Sequence, residues 1–163
     1  MAASTVVKNF SDGSISLFDG AGSPNTISAA FSQGDLSIDG LVEDQREISA
    51  YETRGVLKSV RKTTRIYPTG SFTIMLTDLT DASDTTVVDF CLKQGSFNGN
   101  TTTLSGSDVY AIKIGLTIEG TNYGDANDHT ITLDDCRVTM ALAEGDPSTV
   151  SVSFTCYGAI TMT

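Results

Sequence analysis

The segment that decides the fold class is Tyr110–Glu119, which reads YAIKIGLTIE. Large aliphatic residues occupy every second position from Ile112 to Ile118, and smaller or polar residues mostly alternate with them. Successive side chains of a β-strand point to opposite faces of the sheet. This period of two therefore predicts a strand with one buried face.

The same alternation predicts strands on both sides of this segment. Val150–Cys156 places Val, Val, Phe and Cys on one face, and Gly145–Ser148 precedes it as a candidate hairpin turn. Serine and threonine make up 41 of the 163 residues, a composition that suits strands and turns. We therefore expect a mainly β fold. The further predicted strands are Val6–Phe10, Ser14–Phe18, Thr26–Ile38, Ile48–Thr53, Val56–Val60, Phe72–Leu76 and Val138–Leu142.

One helix is predicted at about residues 84–94. Val87, Val88, Cys91 and Leu92 form an apolar stripe at helical spacing. Either Ser83 or Asp84 can cap the first turn, and Gly95 supplies a stop signal. We expect this helix to cover one face or edge of the sheet, and residues 96–107 to form a surface loop.

Length, charge and cysteine content restrict the class of protein. A chain of 163 residues fits one domain, residues 1–163. The net charge of −10 argues against binding to nucleic acid phosphates and to anionic membranes. No apolar run reaches the roughly 18 residues of a membrane span, and the first residues do not resemble a secretory signal. We therefore expect synthesis in a reducing cytosol, and buried free thiols at Cys91, Cys136 and Cys156.

Candidate chemistry is scarce. His129 is the sole histidine, and no Gly-x-Ser-x-Gly motif accompanies it, so a hydrolase is disfavoured. Gly124–Asp128 begins like a calcium loop, but the pattern fails at the following positions. Asp134 and Asp135 are adjacent, and we interpret them as capping a turn. We predict no catalytic residues, no cofactor and no metal site.

A charged segment, Asp35–Arg65, contains mostly acids in its first half and bases in its second half. Arg54-Gly55 lies between two predicted strands, which indicates a hairpin or an extended loop. The charges suit a solvated hairpin face, nucleic-acid contact or pairing between subunits, and we favour the last because opposite charges set register and specificity. The candidate interface residues are Asp35, Asp39, Glu43, Asp44, Glu47, Arg54, Lys58, Arg61, Lys62 and Arg65.

The order of these elements resembles the tail tube (major tail) proteins of long-tailed bacteriophages. The likeness rests on Phe31–Ile38 with its Gly-Asp-Leu step, on Thr53–Arg61 with an Arg-Gly turn and a Val-Arg pair, and on the closing Glu144–Gly158 turn and strand. The strand around Phe72 and the helix at Val87–Gln94 follow in the same order. The likeness covers nearly the whole chain as a pattern.

This resemblance implies a β-sandwich or barrel-like body with one flanking helix and a long charged loop at about residues 35–65. It implies a non-enzymatic virion protein whose hexameric rings stack into a tail tube, with the charged loop reaching the adjacent ring. The partners would be further copies of the chain and other tail proteins: tape measure, terminator, baseplate or tip, and a sheath in contractile tails. DNA would be a transient passenger through a negatively charged conduit.

A β-sandwich binding module, carbohydrate-binding or adhesin-like, is the alternative from another class. Sugar binding of that kind relies on exposed aromatic side chains. Tryptophan is absent and the five tyrosines are scattered along the chain. The sequence therefore favours the assembly protein.

Overall fold

The structure is a computed structural model that describes residues 7–29, 35–42, 44–77, 85–121 and 124–163. Within these residues it has one α-helix, α1 (Val87–Leu92), and two short 3-10 helices, Phe10–Asp12 and Gly95–Phe97. The mainly β fold with one short helix is confirmed. The strands are β1 (Ser14–Phe18), β2 (Thr26–Ala29), β3 (Ser37–Asp39), β4 (Arg46–Thr53), β5 (Val56–Arg65), β6 (Thr69–Met75), β7 (Ile112–Ile118), β8 (His129–Ala143), β9 (Thr149–Cys156) and β10 (Ile160–Met162).

Eight strands form one antiparallel sheet, and β4 and β5 form a separate two-stranded hairpin. The order in the large sheet is β2-β1-β7-β8-β9-β6-β3, and β10 adds to β8. The segment Tyr110–Glu119 contains β7, which lies between β1 and β8. In β7 the side chains of Ile112, Ile114 and Leu116 are almost completely buried. Its predicted buried face is therefore confirmed.

The long strand β8 joins the two halves of this sheet: β7, β1 and β2 form one half, and β9, β6 and β3 form the other. Its first half, His129–Cys136, pairs with β7, and residues 136–143 pair with β9. The pairing with β7 shifts by one residue near Asp135, which has a φ of 53°. This irregularity is a β-bulge, and such bulges bend a strand.

Buried side chains from both halves of the sheet form one hydrophobic core. Phe72 of β6, Val152 of β9 and Leu17 of β1 are all members of it, together with Phe90 of α1. Since one face of the sheet and the helix share a single core, the sheet curls around that core. Gly70 allows a close approach there, because a Cβ atom at this position would lie 2.4 Å from the ring of Phe154.

The helix begins later than predicted. Its N-cap is Thr86, whose Oγ1 accepts a hydrogen bond from Asp89 N at 3.1 Å and donates to Asp89 Oδ2 at 2.8 Å. The helix ends at Leu92, because Lys93 adopts the left-handed conformation with a φ of 57°. The proposed caps Ser83 and Asp84 lie outside the described residues.

The first strand prediction was wrong, and the segment predicted as extended at Thr26–Ile38, with a break at Gly34, contributes to two strands. In place of the strand Val6–Phe10, residues 7–9 are irregular and a 3-10 helix begins at Phe10, while Val6 lies outside the described residues. Thr26–Ile38 contains two separate strands, β2 beside β1 and β3 beside β6, at the two ends of the sheet order. No helix in the described part of the chain has the length and apolar character needed to cross a membrane.

Candidate assembly surface

The β4–β5 hairpin, residues 46–65, is exposed on both faces, and we call it the arm. Every residue of β5 is exposed, and in β4 Ser49 alone is half-buried. Arg54 and Gly55 form its tip with φ values of 51° and 76°. Two consecutive positive φ angles are typical of the type I′ turn, whose twist matches that of two-stranded hairpins. The hairpin expected around Arg54-Gly55 is therefore present.

One face of the arm carries three large apolar side chains, with Glu52 and Lys62 beside them. Register pairs Ala50 with Val60 and Glu52 with Leu57, and alternation places Ile48 on the same face. Ile48, Leu57 and Val60 are 67%, 56% and 53% exposed, so this apolar face contacts little of the described chain. An isolated two-stranded hairpin is marginally stable in water, and exposed apolar side chains on it mark a surface for a partner.

The opposite face of the arm is polar and aromatic. Arg61 lies over the ring of Tyr51, with 5.7 Å between its guanidinium carbon and the ring centroid. Thr63 Oγ1 donates to the carbonyl oxygen of Glu47 at 3.1 Å, beside an irregularity in the strand pairing. These contacts hold the arm in shape without covering either face.

The arm and the rest of the chain carry opposite charge. Residues 46–65 contain six basic and two acidic residues, whereas the rest of the sequence, which we call the body, contains four basic and eighteen acidic residues. Surfaces of opposite sign attract each other and raise the rate of association. The arm and the body therefore carry charges of opposite sign on one chain.

Two ion pairs lie where the arm joins the body. Asp44 Oδ1 accepts from Arg46 Nε at 2.7 Å, and Asp44 Oδ2 accepts from Lys62 Nζ at 2.9 Å. Hydrogen bonds from Lys62 and then from Arg46 lower the pKa of the Asp44 carboxyl below its ordinary value. Solvent screens exposed pairs of this kind, so their role is to orient the arm rather than to stabilise the fold.

A recess of about 330 Å³ lies where the arm joins the body. Leu41, Val42, Ile66 and Met162 contribute apolar lining, and Arg65 lies at its wall. The guanidinium carbon of Arg65 also lies 5.1 Å from the ring centroid of Tyr67. The recess can take a large apolar side chain, which extends the candidate surface from the arm onto the body.

Nine of the ten predicted interface residues lie on the arm, where the arm joins the body, or near β3. The tenth, Glu43, lies outside the described residues. Asp35 and Asp39 are exposed near the edge strand β3. Asp44 and Lys62 pair within one chain, which the sequence did not indicate. Glu47, Arg54, Lys58, Arg61 and Arg65 are exposed on the arm. Their contact with a second subunit stays a prediction.

A second open surface was missed in the sequence: the outer half of β8. Cys156 N donates to Pro68 O and Tyr157 N donates to Asp135 O, which sets the hydrogen-bonding phase between β8 and β9. In that phase the backbone groups of Val138, Met140 and Leu142 point away from β9. The pairing with β7 ends at Cys136, so no described strand covers this edge.

Polar groups elsewhere are engaged in structural contacts. Asp125 Oδ2 binds Lys8 Nζ and lies 3.1 Å from His129 Nε2, and the hydrogen bond from Lys8 is the largest cause of its lowered pKa. Asp128 accepts from the backbone of Gly120 and Thr121. In the residues that the structure describes, no three His, Cys, Asp or Glu side chains lie close enough to hold a metal ion.

The adjacent acids of β8 do not cap a turn, contrary to expectation. Asp134 and Asp135 form part of the bulge inside β8. Asp134 Oδ1 lies 3.1 Å from Lys113 Nζ on the neighbouring strand β7. The pair therefore belongs to the bend of the sheet, not to its end.

No protein-family model and no curated protein matches this chain. Solved structures do. The chain is similar to the sheath/tube terminator of an extracellular contractile injection system in its extended state, with 12% identity, a TM-score of 0.54 and coverage of 100% of this chain and 98% of that one. The tube-terminating cap of the anti-feeding prophage gives 8% identity and a TM-score of 0.57, covering 100% and 94%.

A chain of the anti-feeding prophage baseplate, 6-fold symmetrised, gives 12% identity and a TM-score of 0.51, covering 100% of this chain and 97% of that one. All three likenesses extend over nearly the full length of both chains. At such low identity they concern the fold rather than the surface residues. The chain thus has the fold of proteins found in contractile, tail-like particles.

Proposed function

We propose that this chain is a structural subunit of a tail-like tube assembly and that its arm binds a neighbouring subunit. The observation that carries the proposal is a basic ribbon, exposed on both faces, attached to an acidic body. The shared fold with terminator, cap and baseplate chains supports it. The arm is incomplete alone, because a two-stranded hairpin needs a covering surface to be stable.

In the assembled state, the apolar face of the arm packs against the next subunit while its basic residues face acids of that subunit's body. The apolar contact supplies the association free energy, and the charges set orientation and register. Because the two contacting surfaces differ, each subunit offers one of each. Such heterologous contacts form rings or open filaments.

The finer proposal is the tail tube itself, built from stacked hexameric rings. The acidic body then supplies a wall of carboxylates around the lumen. Such a wall repels DNA phosphates, so that a genome passes through without binding. In this role DNA is a passenger, and the other tail proteins are the lasting partners.

A tube terminator is the second candidate within the same class. It is favoured by the likeness to one terminator and one cap over at least 94% of each of those chains. A tube protein stacks without limit on its own, whereas a terminator forms a single ring that ends a tube made by another protein. Particle length therefore separates the two candidates.

Negative-stain electron microscopy and light scattering after size exclusion test the proposal. We expect rings or tubes from the purified chain, and a loss of assembly of at least tenfold in Arg54→Glu with Arg61→Glu. Neither residue makes an ion pair in the described part of the chain, so the folded monomer should survive these substitutions.

The matched control compares single charge reversals. Arg61→Glu changes a residue of the arm that contacts the ring of Tyr51. Lys93→Glu changes a residue of the body that contacts the ring of Tyr110. We expect Arg61→Glu alone to weaken assembly. The proposal would be contradicted if the two variants assembled to the same extent, or if the wild-type chain stayed monomeric at high concentration.

A further inference from the structure

Two of the three cysteines are directly opposite each other in the sheet. Cys136 of β8 and Cys156 of β9 are register partners, and both side chains are completely buried. Directly opposite residues of an antiparallel pair point to the same face, so the two thiols lie side by side. Cys91, on α1, is half-buried and not part of this pair.

The backbone phase brings the two cysteines especially close. Cys156 N donates to Pro68 O at 2.9 Å on the side away from β8, so this residue exchanges no backbone hydrogen bond with Cys136. Opposite residues of this non-hydrogen-bonded type have Cα atoms about 4.5 Å apart. That separation falls in the range of about 4.4–6.8 Å found in disulfides.

The sulfur positions agree with the backbone argument. Asp134 O lies 3.9 Å from Cys136 Sγ and 3.2 Å from Cys156 Sγ, so both sulfur atoms contact the same carbonyl oxygen. The thiols also interact with each other: the hydrogen bond between them raises the pKa of Cys136 and lowers the pKa of Cys156.

We propose that Cys136 and Cys156 are a site of oxidative modification, where an intramolecular disulfide closes in the folded chain on exposure to hydrogen peroxide, an oxidant small enough for a buried site. One thiolate of the pair attacks a peroxide oxygen and becomes a sulfenic acid, and the hydroxide that leaves takes up the proton that this thiol lost. The second thiol attacks the sulfenic sulfur, and the hydroxyl leaves as water with the proton of that thiol. The two protein thiols lose two electrons and two protons, and one hydrogen peroxide is reduced to two water molecules.

The position of the pair gives the modification a structural consequence. The bond encloses residues 137–155, which form the outer half of β8, the turn and most of β9. It also lies beside the bulge at Asp135, where β8 passes from one half of the sheet to the other. Oxidation thus ties the bend of the sheet covalently and restricts the unfolded chain. This inference does not rest on the assembly function.

Treatment of the full-length chain with hydrogen peroxide tests the site. Trypsin places the three cysteines in separate peptides, 66–93, 114–137 and 138–163, because Arg65, Lys93, Lys113 and Arg137 separate them. We expect the folded, oxidised chain to give one cross-linked species joining the second and third peptides, with Cys91 still alkylatable. Its melting temperature should rise by about 5–10 °C and return after reduction with dithiothreitol.

Cys91→Ser is the matched variant that should keep both the cross-link and the shift, while Cys136→Ala should lose both. The peptide map of the wild-type chain decides the matter if Cys136→Ala does not fold. The proposal is overturned if all three thiols are alkylated when the treated chain is afterwards unfolded, if the cross-link includes Cys91, if it forms only in denaturant, or if oxidation lowers the melting temperature.

Discussion

At the scale of single residues, Asp19 holds three segments of the chain together. Its side chain is 4% exposed and accepts hydrogen bonds from Ala21 N, Asn25 N and Thr101 N, at 2.8–3.2 Å, and from Asn25 Nδ2. Asn25 Nδ2 in turn donates to the buried Asn100. This one carboxylate therefore satisfies the amides of two loops beside β1.

Asp19→Ala should destabilise the chain by about 3 kcal/mol, because it removes a buried carboxylate that accepts four hydrogen bonds. Asp19→Asn should cost less, since its side-chain oxygen still accepts. Urea unfolding monitored by circular dichroism measures both. Asp108→Ala, at an exposed position, is the control and should stay within about 0.5 kcal/mol of wild type. A loss for Asp19→Ala as small as that of the control would contradict this role.

Asp125 links the segment before β1 to the start of β8, through Lys8 and His129. Its pKa is lowered in the folded chain, chiefly by Lys8, so it stabilises the fold above the ordinary carboxyl pKa, and this stabilisation is lost as the pH falls towards the folded-state pKa. Asp125→Asn should therefore melt below wild type at neutral pH.

Thermal melts at a series of pH values test this sign. The difference between wild type and Asp125→Asn should be full above about pH 5 and shrink as the pH falls below about 4. Asp108→Asn, at an exposed loop position, supplies the reference series. A difference that does not change with pH would rule out the ion pair as its source.

At the scale of elements, the arm and the sheet should differ in local stability. Both strands of the arm are exposed, whereas β7 and β9 lie inside the sheet with buried faces. Amides of residues 46–65 should exchange with deuterium at least about tenfold faster than those of β7 and β9 in the unassembled chain.

Hydrogen exchange followed by mass spectrometry measures this directly. In the assembled state, the amides of the arm should become protected while those of β7 change little. Arm amides that are already as protected as those of β9 in the monomer would mean that the hairpin needs no partner. The exchange of β7 serves as the internal control.

At the scale of the whole molecule, assembly should depend on the apolar face of the arm as well as on its charge. Leu57→Ser with Val60→Ser removes two exposed apolar side chains and should weaken assembly by at least tenfold. The melting temperature of the monomer should stay nearly unchanged, because neither side chain is in the core.

Sedimentation velocity over a concentration series provides the measurement. Val109→Ser is the control, since Val109 is an exposed apolar residue on the body. Should the arm variant assemble like wild type, electrostatic attraction alone would hold the subunits. Should the control lose assembly equally, the contact surface would lie on the body instead.

Much of the fold was predictable because short-range patterns determine it. Alternation located β7 and β9, and the position of Arg54-Gly55 between two segments located the hairpin of the arm. Cap choice was not predictable, because Ser83, Asp84 and Thr86 all carry suitable oxygen atoms and the cap is Thr86.

The candidate site was predictable in position but not in its partners. The charge blocks of residues 35–65 marked the arm, yet the pairing of Asp44 with Lys62 depends on a hairpin register that composition does not encode. The neighbouring cysteines were assigned to the core from their phase along each strand. That they face each other follows from the register of β8 and β9, which is set by the whole sheet.

The opposite charges of arm and body have a consequence for growth. When a donor and an acceptor sit on one molecule, every linear array leaves a bare donor at one terminus and a bare acceptor at the other. An assembly of the proposed kind therefore has polarity, and closing it would take two different capping proteins: one that mimics an arm and one that mimics an acidic receptor.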